Sequence, residues 1–342
     1  MAHDTRCLIW GAGAIGGTMG AFLSRAGHDV TLVDNVSEHV AAINRSGLTV
    51  TGPIQEFTCT VPAFTPDTLH GAWNTIVLAT KAHHTADAVR ALLPHLTPSG
   101  CVVSAQNGLN EFAIAEVVGE ARTVGAFVNF GADYMEPGVI LYGGRGTVTV
   151  GEAFLPQAST LTPRVLAIRD TWRDFDDRAT ATANIFGFLW AKEAYGAMLF
   201  ATALTNDSIA DALANPQYRA LYIALAREIL AVAQALDIHP EAFDGFDPAA
   251  YLPNAPADAA TESLDALVAH NRKSAKTHSG IWRDLAVRKR PTEVDAQLGI
   301  VVRLGANAGV ATPLTARVIR LIQDVERGDR SLARENLDEV AA

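Results

Sequence analysis

The chain has 342 residues, of which 49% are hydrophobic and 19% charged, enough apolar material for two cores and too little charge for a disordered chain. A net charge of −10 and a pI near 5.4 argue against a surface built for nucleic acid or anionic lipid. Cys7, Cys59 and Cys101 form no CxxC pair and are odd in number, which excludes a disulfide framework and a sequence-evident zinc site. No apolar run approaches the ~18 residues of a membrane helix, so a soluble, cytoplasmic protein with neither membrane nor nucleic-acid partner is expected.

Taken in chain order, residues 7–10 read as a strand, followed by the glycine run at 11–17 and a helix over 18–26 that Gly27 ends. Further buried strands are expected at 30–33, 76–80 and 102–105, with a helix over 84–93 closed by Pro94. Strands alternating with helices indicate parallel βαβ units. The Gly-rich stretch 124–151 carries β-favouring runs at 124–128, 139–142 and 147–150, read as antiparallel strands at the far edge of the same sheet. A helix over 161–174 and a short extended piece at 179–184 follow. From Phe186 onward the pattern is helical, notably at 218–236, 293–308 and 315–326. The Pro- and Asp-rich stretch 240–258 reads as a surface loop, and the polar last dozen residues as frayed. The expected fold is an α/β domain over 1–180 and an all-α domain over 181–330.

Gly11, Gly13 and Gly16 form GxGxxG between a strand and a helix, with Ala14 and Ile15 opening that helix. The first glycine permits the tight turn, the second lets backbone approach a pyrophosphate, and the third allows close helix–strand packing. Asp34 ends the second strand, where a carboxylate accepts the adenosine ribose hydroxyls and repels a 2′-phosphate. Asn35, Val36 and Ser37 supply no arginine for that phosphate, so NAD(H) is expected, with NADP(H) as the alternative. His83 and His84 are adjacent, point to different faces, and cannot readily share a metal; no metal site is expected.

Several collinear segments resemble the ketopantoate reductase (2-dehydropantoate 2-reductase) family: GAGAIG at 11–16, Thr80–Lys81, Gln106–Asn107–Gly108, Trp190 with Lys192, Thr292–Asp295 with Gly299, and the tail over 303–322. The resemblance implies a Rossmann domain joined to a helical substrate and dimerisation domain, a homodimer, substrate in the cleft between domains, and hydride transfer to the ketone of a 2-oxo acid. By matching position, Lys192 would be the catalytic lysine and Glu293 the substrate-positioning carboxylate, with Lys81 and Asn107 on the cofactor side. As hydride reaches a carbonyl carbon, the oxygen gains charge that a proton donor must meet; a lysine flanked by Phe188 and Trp190 would be desolvated enough to donate near neutrality.

Two departures bear on substrate. Family members that reduce ketopantoate usually carry asparagines one and two helical turns beyond the lysine, where this chain has Gly196 and Phe200; Asn206 and Asp207 do not replace them in register. Before Thr292 the chain reads Lys276-Thr277-His278-Ser279-Gly280-Ile281-Trp282-Arg283-Asp284, with Ser279 the counterpart of a substrate-binding serine and His278 beside it. Lys276 and Arg283 add cationic groups there, whereas Arg288–Arg290 reads as a solvated loop. Phe200, His278, Ser279 and Asn107 are the expected substrate contacts. Two alternatives stand beside reduction of a 2-oxo acid: NAD-dependent oxidation of another small hydroxy acid, and non-catalytic sensing of NAD(H).

Overall fold

A computed structural model describes residues 6–154, 160–273 and 277–342, which divide into two compact units, 1–185 and 186–342. In the first unit the strands are β1 (Cys7–Trp10), β2 (Val30–Val33), β3 (Leu48–Thr51), β4 (Phe57–Cys59), β5 (Ala63–Phe64), β6 (Trp73–Leu78), β7 (Leu96–Ser104), β8 (Thr123–Val128), β9 (Gly131–Glu136), β10 (Val139–Gly144), β11 (Val148–Glu152) and β12 (Thr180–Ala181). Its helices are α1 (Ala14–Arg25), α2 (Ser37–Ser46), α3 (Thr85–Leu92), α4 (Glu111–Val118) and α5 (Pro163–Trp172).

Eight strands form one sheet in the order β12-β11-β8-β7-β6-β1-β2-β5, parallel throughout except where β11 runs antiparallel to β8. Both faces are covered. Cys7 and Ile9 of β1 enter one apolar cluster while Leu8 and Trp10 enter the other, and Val77 alternates with Ile76 and Leu78 in the same way. Double-sided burial explains why these strands read as continuous apolar runs. The three cysteines are buried thiols, and burial pushes Cys7 up to about 12.

The stretch 124–151 does not form a single edge. Residues of β8 pair in parallel with β7, and β11 adds antiparallel to β8, but β10 belongs to a separate four-stranded sheet, β4-β3-β10-β9. There Val139 faces Thr49 in a parallel pairing across some ninety positions of chain. Helix α1 lies between the sheets: a Cβ on Gly16 or Gly20 would strike Ile9 or Leu32 of the large sheet, and one on Gly17 would stand 2.2 Å from Ile140 Cδ1 of the small one. The glycine-rich helix is thin because it is packed closely on two sides.

The second unit, apart from the first residue of α6 (Ile185–Thr202), contains α7 (Ile209–Ala214), α8 (Arg219–Ala235), α9 (Ala259–Lys273), α10 (Gly280–Trp282), α11 (Ile300–Asn307), α12 (Pro313–Arg327) and α13 (Glu335–Ala341). Two π-helical turns, Arg283–Arg288 and Asp295–Gly299, continue α10 and lead into α11. Glu228 of α8 caps α12, accepting from the N–H groups of Leu314 and Thr315 and the Thr315 hydroxyl at 2.8–2.9 Å. The last dozen residues are not frayed. Leu337 and Val340 are buried, and Asn336 Nδ2 donates to the Leu204 and Ser331 carbonyls. Their polarity is that of an amphipathic helix seen from outside.

Candidate functional site

In the α/β unit the C-terminal ends of β2, β1, β6 and β7 lie side by side, with Trp10 in register with Val33 and Leu78, and Leu78 with Ser104. The chain leaves β1 toward β2 on one side and returns to β6 on the other, so the order reverses at β1, the position where open parallel sheets hold ligands. The loops from these four ends carry Gly11–Gly16, Asp34, Lys81 and Asn107, which the fold therefore gathers at one edge.

The three motif glycines have three different environments. Gly11 has φ +105°, and a Cβ there would lie 2.8 Å from the Ala79 carbonyl carbon. Gly16 would place a Cβ 2.1 Å from the Gly11 carbonyl oxygen. Beside Gly13, the residue preceding α1, nothing stands within 4 Å. Two glycines are required by packing, and the third faces open space at a helix N-terminus, where unpaired N–H groups and the helix dipole favour an anion. This cradle fits a pyrophosphate.

Asp34 is aimed at the loop by two backbone donors: its Oδ2 accepts from Ala12 N at 2.9 Å and its Oδ1 from Val36 N at 3.0 Å. Each oxygen keeps acceptor capacity for a ribose hydroxyl. The sequence reading did not single out His39. Its buried ring is hydrogen-bonded to the Ala12 carbonyl at 2.9 Å and accepts from Gly138 N at 2.9 Å, so the Nε2 atom carries the proton. Ala12 is thus held by both its N–H and its C=O. Gln106, given no role by the sequence beyond its place in a motif, donates from Nε2 to Thr80 O and Thr85 Oγ1 at 2.9 Å, while Asn110 Nδ2 donates to Asn107 O at 2.7 Å. These bonds tie the loop bearing Lys81 to the loop bearing Asn107, both exposed.

In the helical unit Lys192 is half-buried on α6, and Glu293, 9% exposed, immediately precedes the turn that leads to α11. The loop of Glu293 is pinned from α12: Glu326 Oε1 accepts from both the N–H and the hydroxyl of Thr292 at 2.7 Å, and Thr292 Oγ1 accepts from Val294 N. Glu193, next to Lys192, is buried and is pushed up to about 7 by that burial, with Lys192 pulling down and Glu293 pushing up. The structure therefore brings Lys192, Glu193 and Glu293 into one electrostatic neighbourhood.

Gly196, one turn beyond Lys192, faces open space, with nothing within 4 Å of a Cβ built on it. Phe200, one turn farther, has no exposed surface and is a core side chain. That corrects the expectation that its ring meets substrate, because an enclosed side chain offers no face to a ligand. Ser279 is buried and caps α10, accepting from Trp282 N at 3.1 Å. His278 lies over Trp282 with ring centroids 4.0 Å apart and bonds Thr277 Oγ1, while Trp282 Nε1 donates to Asn206 Oδ1 at 3.4 Å. Asn206 is thereby joined to the His278 segment, whereas Asp207 is taken by Arg334. Lys276 lies outside the described residues. Arg288 and Arg290 are exposed, as expected, yet both bind buried Asp284, at 3.0 and 2.9 Å. Among the described residues there is no cluster of three His, Cys, Asp or Glu able to hold a metal, and no helix long and apolar enough to cross a membrane.

Residues 7–153 match the family model described as ketopantoate reductase PanE/ApbA, and residues 184–326 match its C-terminal counterpart. The 2-dehydropantoate 2-reductase of Pyrococcus abyssi is 35% identical over 190 residues, 54% of this chain and 58% of that protein, so this match spans little more than half of the relative. The 2-dehydropantoate 2-reductase of Halobacterium salinarum is 26% identical over 94% of this chain and 98% of its own. A solved D-mandelate dehydrogenase, held with NADH and anilino(oxo)acetate, shares the fold with a TM-score of 0.80 at 21% identity, over 94% of this chain and 99% of that one.

Proposed function

Because the chain belongs to the ketopantoate reductase family, we propose that it reduces a 2-oxo acid to the 2-hydroxy acid with a nicotinamide dinucleotide, NAD(H) in preference to NADP(H). The observation that carries this reading is that Lys192 and Glu293 act on the same buried carboxyl, Glu193, in the helical unit, with the Glu293 loop pinned by Glu326. We assign the pyrophosphate to the N–H groups at the start of α1 beside Gly13, and the adenosine ribose to Asp34. Lys81 and Asn107 line the nicotinamide side.

The bound reduced nicotinamide supplies the hydride. Lys192 Nζ holds the proton that the carbonyl oxygen takes as its charge develops, and regains one from solvent afterwards. Glu293 accepts a hydrogen bond from a substrate hydroxyl and fixes its orientation. Ser279 and His278 are assigned to the substrate's polar end. Gly196 leaves room beside Lys192 where a side-chain amide would meet a substrate oxygen, so we infer a substrate body that is bulkier or more apolar than ketopantoate. The proposal includes a cytoplasmic homodimer. A second reading, oxidation of a hydroxy acid by NAD, is favoured by Asp34, since NAD pools are kept oxidised in most cells.

The test is kcat/KM on 2-oxopantoate beside a panel of aliphatic and aryl 2-oxo acids and their hydroxy acids. Two lost hydrogen bonds at ~1–3 kcal/mol each predict a 2-oxopantoate value at least about thirty-fold below the best acid. A value near ~10⁵ M⁻¹s⁻¹ on 2-oxopantoate would overturn the substrate assignment.

A further inference from the structure

Helix surfaces are where glutamates next to lysines ordinarily stand, yet Glu193 is 2% exposed. Adjacent helical positions differ by about 100°, which lets Lys192 keep part of its side chain accessible while Glu193 is enclosed. The Oε2 of Glu193 is buried and, among the described residues, has no hydrogen-bond partner. A carboxyl in that setting does not stabilise the fold; an apolar side chain of the same size would pack there at less cost.

The charged groups that act on Glu193 are Lys192, which favours its anion, and Glu293, which favours its acid; burial is the larger influence and pushes the carboxyl up to about 7. Tyr195, two positions on, contributes no charge near neutrality: burial pushes its phenol up, and Asn271 Nδ2 donates to its hydroxyl oxygen at 3.1 Å.

We propose that Glu193 is a positioning residue of the reaction, an enclosed carboxyl that gains or loses a proton beside Lys192 and Glu293 and so sets the charge against which Lys192 holds its own. The inference rests on the reading of Lys192 as proton donor. When Glu193 ionises, one more negative charge acts beside Lys192, and it retains the ammonium proton to higher pH. The protein thus adds a charge to its proton donor's surroundings as the solution becomes alkaline, and activity persists where an unaided lysine would have lost its proton.

The experiment compares kcat against pH for wild type, Glu193→Gln and Glu193→Leu, with 2-oxopantoate and NADH as the probe and Lys192→Ala as control. In both Glu193 variants the alkaline limb should move down by about 1 pH unit. An alkaline limb unmoved in both, with Lys192→Ala inactive, overturns the role of Glu193 alone; near-normal turnover in Lys192→Ala overturns the reading of the lysine itself. Thermal melts supply a readout that needs no substrate. Folded Glu193 keeps a proton that the unfolded chain releases near 4.5, so its contribution to stability is complete below that pH and is lost as pH rises toward 7. The wild-type melting temperature should therefore fall relative to that of Glu193→Gln between those values, and parallel curves would contradict a titrating Glu193.

Discussion

Three alanine substitutions in one loop separate a ligand site from a packing motif. In Gly16→Ala the new methyl would sit 2.1 Å from the Gly11 carbonyl oxygen, 2.8 Å from Ile9 Cγ2 and 2.9 Å from Ala79 Cβ. Two of these neighbours belong to buried backbone or a central strand and cannot step aside. The cost should be at least the ~1–3 kcal/mol typical of overpacking, a fall in Tm of roughly 2–12 °C for a unit of this size. Gly11→Ala adds a left-handed φ of +105° to a 2.8 Å approach to Ala79 and should be as harmful. Gly13→Ala meets nothing within 4 Å, and its φ of −70° suits any residue; Tm should hold or rise slightly through the restricted unfolded chain. Its methyl nevertheless stands where the pyrophosphate must approach, so NADH affinity should fall about 10- to 100-fold, or about 1.4–2.8 kcal/mol. Differential scanning fluorimetry and NADH fluorescence titration read the two effects separately. Wild-type NADH affinity in Gly13→Ala would refute the cradle, and an unchanged Tm in Gly16→Ala would refute the packing account.

Two further outcomes are expected. Lys192→Ala should lower kcat by about 10²–10⁴-fold while NADH titrates as in wild type, as for loss of a proton donor; stopped-flow turnover beside equilibrium NADH binding checks both halves. Asp34→Ser combined with Asn35→Arg should shift preference toward NADPH, since it removes the carboxylate and offers a cation; the ratio of kcat/KM for the two cofactors measures it, and a wild type already favouring NADPH would contradict the role given to Asp34.

The parallel sheet was legible because Cys7–Trp10 and its neighbours are buried on both faces and so appear as unbroken apolar runs. The small sheet was not. Its strands are only partly buried, and although the run at 139–142 could be read, the pairing of β10 with β3 that joins its two local hairpins spans some ninety positions. Helix α1 begins at Ala14, four residues before the expected start, because the glycines that look like a loop in sequence are its first turns, packed between two sheets. At the site, the motif residues could be read by kind and spacing. Their supports could not: His39 and Glu326 resemble ordinary surface polar residues, Gln106 shows its motif but not its bonds, and only tertiary contact brings them to Ala12, Thr292 and Thr80. Glu193 is silent in the sequence for the same reason, since a glutamate beside a lysine on a helix carries no sign of which way it turns.

Residues 331–341 gain a meaning from what they hold. The Leu204 carbonyl, just past the end of α6, accepts from Ala333 N and Asn336 Nδ2, and Arg334 clamps Asp207 three residues later. The helix that carries Lys192 is therefore moored at its far end by chain synthesised after every other part of the unit. During translation α6 can form early, but these bonds to its far end are made only once residues 331–341 have emerged, so cutting within this segment would be felt as slack in a helix more than a hundred positions upstream.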